Sequence, residues 1–117
     1  YAKKDSKTET EKTYYIETGS KFSTNSTSDT IMKSAAKFSA NSKQEMSLYS
    51  QAEITIESTT KITLKVGSNK IEISSSGIKI DAQGGKLDLN ASGDVTTQGS
   101  TTKLQGGGSP STPTTVS

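Results

Sequence analysis

The sequence predicts an all-β fold, a homotrimeric triple-stranded β-helix shaped as a triangular prism and built from octad repeats. Three observations predict it. Charge keeps to one parity from Tyr14 to Val66, large apolar residues recur in pairs eight residues apart, and the chain is too polar to bury a core alone.

Parity comes first. The charged residues between Tyr14 and Val66 are Glu17, Lys21, Asp29, Lys33, Lys37, Lys43, Glu45, Glu53, Glu57, Lys61 and Lys65, all odd-numbered. Chance would give that with odds of roughly one in a thousand, so the period of two expected of a strand is real. The even positions carry the apolar side chains and are read as the inward face.

The octad lies on top of this parity. Its large inward positions are Tyr14/Ile16, Phe22/Thr24, Thr30/Met32, Phe38/Ala40, Met46/Leu48, Ile54/Ile56 and Ile62/Leu64. Two small even positions separate successive pairs, as in Ser34/Ala36, Ser50/Ala52 and Ser58/Thr60. Fixed short periods mark stacked arrays, in which no single repeat buries its own face. A helix is the competing reading of residues 31–53, where Ala, Lys, Gln, Glu, Met and Leu favour it. That stretch nevertheless keeps the parity and the octad of its Thr- and Ile-rich flanks, which favour strand.

Beyond Val66 the alternation survives but changes phase. Ile71 and Ile73 are odd, Ile78 and Ile80 even, Leu87 and Leu89 odd again, at spacings of nine, seven and nine. The changes fall at Gly67, Asn69, Gly77, Gly84 and Gly85, residues able to turn the chain through positive φ. They are read as corners between strands wound about a common axis. The inferred trimer core is therefore Tyr14, Ile16, Phe22, Met32, Phe38, Met46, Leu48, Ile54, Ile56, Ile62, Leu64, Val66, Ile71, Ile73, Ile78, Ile80, Leu87 and Leu89.

Composition explains why copies are needed. Only 27% of the 117 residues are hydrophobic and 5% aromatic, with a net charge of +2. A monomer this polar would be marginal, yet so small a charge and so strong a period argue against disorder. An eight-residue step supplies one face of a coil, so three chains would close a prism. Backbone bonds between chains would then leave no free edge. Residues 1–13 read as a polar lead-in, 14–105 as the β-helical needle, and 106–117 as a flexible Gly/Ser/Thr/Pro-rich tail. The sequence opens on Tyr1 rather than Met and is read as part of a longer protein.

The "ITLKVGSNKIEI" run at 62–73, the "GIKI" run at 77–80 and the octads upstream resemble the C-terminal needle of the valine–glycine repeat spike proteins (VgrG) of type VI secretion systems. They are also similar to the needle of T4-like phage cell-puncturing tail proteins. The resemblance covers about residues 14–104. It implies an intertwined homotrimer at the tip of a phage tail-like contractile injection system, assembled in the bacterial cytoplasm and delivered into a target cell, whose membrane it meets transiently. It also implies a small PAAR-repeat protein capping the far end, seated near Val95 and Leu104, where the apolar stripe thins. Two departures stand out: Val66-Gly67 is the only Val-Gly pair, and the family's tube-attaching base domains are missing.

The expected function is thus a non-catalytic puncturing spike. The alternative is a trimeric β-helical stalk of a surface adhesin or phage fibre, which the same period would serve. Ice binding by outward Thr55, Thr59 and Thr63 ranks low, because Glu and Lys interrupt the row. Glu53 and Glu57 form at most an exposed carboxylate pair, and with no His or Cys the serines lack a base and zinc lacks its usual ligands. No catalytic residue, metal or cofactor is expected. All 14 basic residues are Lys, mixed among 12 acids, so no nucleic-acid partner is expected either.

Overall fold

The computed structural model describes residues 6–106 together with 110–111. It is all-β, and the described residues include no helix. The strands are β1 (Lys61–Val66), β2 (Asn69–Ser74), β3 (Gly77–Asp81), β4 (Leu104–Gln105) and β5 (Pro110–Ser111). The chain divides into two units, Tyr1–Leu48 and Tyr49–Ser117.

In the first unit the described chain is extended and unpaired within itself. Its backbone bends at residues 11–12, 19–20, 27–28, 35–36 and 43–44. Bends at 51–52 and 59–60 in the second unit keep the same eight-residue spacing. Each bend from 27–28 onward follows a serine at the first small position of its octad. The N–H groups of Ser28, Ala36, Gln44, Ala52 and Thr60 donate to Oγ of Ser26, Ser34, Ser42, Ser50 and Ser58, at 3.2–3.4 Å. The hydroxyls of Ser26, Ser34 and Ser42 donate in turn to the carbonyls of Asp29, Lys37 and Glu45, at 3.0–3.2 Å. A hydroxyl bonded to the backbone two residues on competes with regular structure and fixes a turn. This is why residues 31–53 form no helix despite their composition: the serines take up N–H groups that a helix would need.

Ser42→Ala should therefore cost about 0.5–1 kcal/mol per chain, the net worth of a modest hydrogen bond. Ser39→Ala, at an odd position that makes no corner, should cost nothing measurable. Denaturant midpoints of the two variants decide, and equal losses would mean that the serines do not set the corners.

The second unit contains an antiparallel meander, ordered β1-β2-β3. Here the outcome differs from corners about a common axis, because the chain folds back on itself at the first two phase changes. Val66 pairs with Asn69 across Gly67-Ser68, and Ser74 with Gly77 across Ser75-Ser76. Partners at a two-residue loop are three apart in number, so an even residue always faces an odd one. An apolar face can continue across such a hairpin only if the apolar parity flips, which is what the sequence does twice. Gly67 has φ 58, and no described non-Gly residue has a positive φ. Positive then negative φ across the loop is the type II′ pattern that suits strand twist. Gly77 has φ 146.

Asn69 and Gly84 turn the chain by another route than positive φ. The Gly84 N–H donates to Asn69 Oδ1 at 2.9 Å, tying the turn after β3 onto the β1–β2 loop. A Cβ on Gly84 would lie 3.2 Å from Ser68 Oγ, a tight contact that the serine side chain would have to yield to. Gly67, Asn69 and Gly84 thus gather at one end of the meander, with Gly77 at the other. Farther on, the backbone bends at 92–93 and 99–100, and β4 pairs with β5. The tail assigned to residues 106–117 lies outside the described residues except for 106 and 110–111, and 110–111 are paired. Of the lead-in, residues 6–13 are exposed and in no strand, and 1–5 lie outside the described residues.

Candidate self-association surface

A strand hides half of its side chains only if something covers that face. Among the described residues no hydrophobic side chain is buried. The whole chain exposes 12672 Å². A compact monomer of 12.3 kDa would expose about 6,100 Å². Of the eighteen residues assigned to a trimer core, Ile62 is half-buried and the others are exposed.

Along the octads the large even-numbered side chains flank the bends in sequence. In the first unit Ile16, Thr18 and Phe22, all even, line an open groove of about 350 Å³ at the Gly19–Ser20 bend. The large residues flank the bend and the small position lies at it. That leaves room for side chains from elsewhere.

In the meander the register builds two apolar rows. Ile62, Ile73 and Ile78 stand abreast, as do Leu64, Ile71 and Ile80. Directly opposite residues lie close enough for their side chains to pack across strands. Leu64, Val66, Ile71 and Ile80, with Ala82, Leu87 and the polar residues around them, line an open groove of about 350 Å³ along one side of this face.

The opposite face carries the charges. Lys70 Nζ donates to Glu72 Oε2 at 3.2 Å, Lys61 Nζ lies 3.7 Å from Glu72 Oε1, and Lys79 Nζ lies 3.3 Å from Asp81 Oδ2. The side chains of Glu72 and Asp81 are 23% and 16% exposed, whereas Ile71 and Ile73 are 39% and 42% exposed. These two carboxylates are better covered than the isoleucines, the reverse of a protein whose apolar face is satisfied.

The hydrogen bond from Lys70, helped by the charges of Lys61 and Lys70 and more weakly of Lys79, lowers the Glu72 pKa from its ordinary 4.5. A depressed carboxylate contributes stability that is complete above the unfolded value and lost as pH falls through the folded one. The meander should therefore weaken below about pH 4.5, and Glu72→Gln should remove part of that decline. Thermal midpoints of both proteins from pH 7 to pH 3 test this. Parallel curves would exclude Glu72 as a source of the acid sensitivity.

Val95 lies between the bends at 92–93 and 99–100, and Leu104 opens β4; both are exposed. Glu53 accepts a hydrogen bond from the Thr55 hydroxyl at 2.9 Å. Among the described residues no three acidic side chains gather in a way that could hold a metal ion. The corner serines escaped sequence reasoning as a functional set, although Ser at 26, 34, 42, 50 and 58 was a visible signal. No family model matches the chain, and no curated protein or solved structure matches it either.

Proposed function

We propose that the chain is the non-catalytic needle of a contractile puncturing machine, in which three copies wind into a triple-stranded β-helix. The observation that carries this reading is the coincidence of two periods. Bends recur every eight residues, and pairs of uncovered, mostly apolar even-numbered residues recur at the same eight-residue spacing between them. A chain built this way presents a stripe that only further copies with the same step can match along its length. Three chains would close the prism, each strand bonding to neighbours on other chains, and the apolar pairs would fill the axis.

The mechanical consequence follows from that arrangement. Thrust along the axis would be carried by an interlocked backbone ladder that leaves no lateral edge to pair with other proteins. The alternating Lys, Glu and Asp outside would keep the shaft hydrated while it passes through a target membrane. On this reading the needle is assembled in the bacterial cytoplasm and delivered with the machine. No residue performs chemistry, and no cofactor or metal takes part.

A spike of this kind would take a PAAR-repeat protein at its far end, near Val95 and Leu104, whereas a stalk or fibre would not. The test is a pull-down of a purified PAAR-repeat protein from the same genome with the whole chain, and with the chain truncated after Asn90. The expected result is capture by the whole chain and none by the truncated one. Capture by neither would remove the spike reading in favour of a stalk, and equal capture by both would move the seat away from Val95 and Leu104.

A further inference from the structure

We propose that the β1–β3 meander is a register-setting association module, whose apolar face closes on the same face of two further copies before the octads zip together. This rests on the trimeric reading above and deepens it by assigning the register to one segment.

The octads cannot set their own register. Sliding one chain by eight residues carries each bend onto the next and each large pair onto the next pair. Phe38 would then stand level with Met46, and Met46 with Ile54, with similar bulk and the same polarity. Burial of one face forbids a one-residue slip, because that would turn the face to water. It does not forbid a slip of eight. A chain of octads alone would assemble in several staggered forms.

The meander is the element that breaks this degeneracy. Its apolar pairs are spaced nine and seven residues apart instead of eight. Apart from the two-residue pair β4–β5, it is also the only part of the described chain that holds a ladder by itself. Its contacts are local, joined by two-residue loops, and such hairpins form in microseconds, far ahead of pairing between chains. It is therefore the first element to form on each chain, ahead of the octads.

Its faces say what it meets. The charged face already pairs Lys61 and Lys70 with Glu72, and Lys79 with Asp81, and stands in water. The other face is mainly aliphatic, with Asn69 beside Val66 and with Lys65, Lys70, Asp81 and Lys86 lining its groove, and it lies open. A sheet with an apolar face has to bury it against another layer, and no described strand or helix lies over it. A second copy of this chain is the occupant that fits. The two central rows of the open face, Ile62, Ile73 and Ile78 and Leu64, Ile71 and Ile80, carry no charge, so the same rows on another copy match them. The face also continues the octad stripe without a break, since Ile54/Ile56 leads to Ile62/Leu64 at the same spacing and parity. A copy engaged along the octads arrives at this face by continuation.

The experiment uses the full chain, which has no native Cys, spin-labelled through Thr55→Cys. Two double variants are compared with the parent: Ile71→Ser with Ile73→Ser in the meander, and Phe38→Ser with Met46→Ser in the octads. Sedimentation equilibrium gives the association state, and interchain distances at residue 55 give the register. The parent should be a trimer with one narrow distance. The octad variant should remain a trimer. The meander variant should either show several distances, from chains slipped by octads, or fall to monomer at concentrations where the octad variant stays trimeric.

The inference is overturned if the meander variant remains a trimer with one distance, or if both variants are monomeric. Hydrogen exchange separates this failure from failure of the needle reading. A parent trimer whose octad amides exchange freely would sink the needle and leave the module standing. Protected octads in a single-register meander variant would do the reverse.

Discussion

Ile56→Asp is expected to abolish assembly, whereas Thr55→Asp, one residue away, is expected to leave it nearly intact. In the proposed prism Ile56 points to the axis, so the substitution brings three carboxylates together where water is excluded. Burying unpaired like charges costs several kcal/mol, or forces their protonation by raising their pKa. The loss should therefore ease as pH falls through the raised value, because protonated acids can share a small polar space. Thr55 points outward, and its hydroxyl donates to Glu53. An aspartate there would sit near Glu53 and Glu57 but in water, at a cost of under about 1 kcal/mol per chain. Melting temperatures of both variants at pH 7 check the contrast. Similar losses would contradict the inward assignment of the even positions.

Gly67→Val is expected to be a strongly damaging turn substitution. Gly67 holds φ 58 at the first position of the β1–β2 loop, and a Cβ built there meets nothing within 4 Å. The cost is therefore backbone strain with no clash, about 1–3 kcal/mol per chain, and larger for a β-branched residue than for Ala. Gly85→Ala is the matched control, since nothing lies within 4 Å there either and its φ is not positive. Urea midpoints should fall markedly for the first variant and hardly move for the second. An equal effect would mean that the hairpin does not depend on the turn at Gly67.

Much of this was legible because period two and period eight are both written into residue type. Charge on odd numbers and Tyr14, Phe22, Phe38, Met46 and Ile54 on even ones give the faces. Gly67 and Gly77 mark where the faces invert. The direction the chain takes at those glycines was not legible. A corner about an axis and a hairpin both preserve the inward face, and both accept glycine. Partner arithmetic favours the hairpin at Gly67 and Gly77, because a two-residue loop demands that parity flip, although parity also flips at Gly84–Gly85 without one. The role of the serines was hidden for another reason. Ser26, Ser34, Ser42, Ser50 and Ser58 are small, and smallness alone accounts for a residue near a corner. Only geometry reveals that their hydroxyls make the corner. Asn69 likewise read as a residue tolerant of positive φ, whereas it serves as an acceptor for the Gly84 N–H fifteen residues away.

The central claim is that one chain does not enclose a core and that three do. Sedimentation equilibrium of the full chain across the widest measurable concentration range tests it most directly. A mass of three chains is expected over most of that range, with dissociation, where it occurs, accompanied by loss of β-structure outside the meander, because folding of the octads and association are one process. A well-folded monomer at every concentration would contradict it.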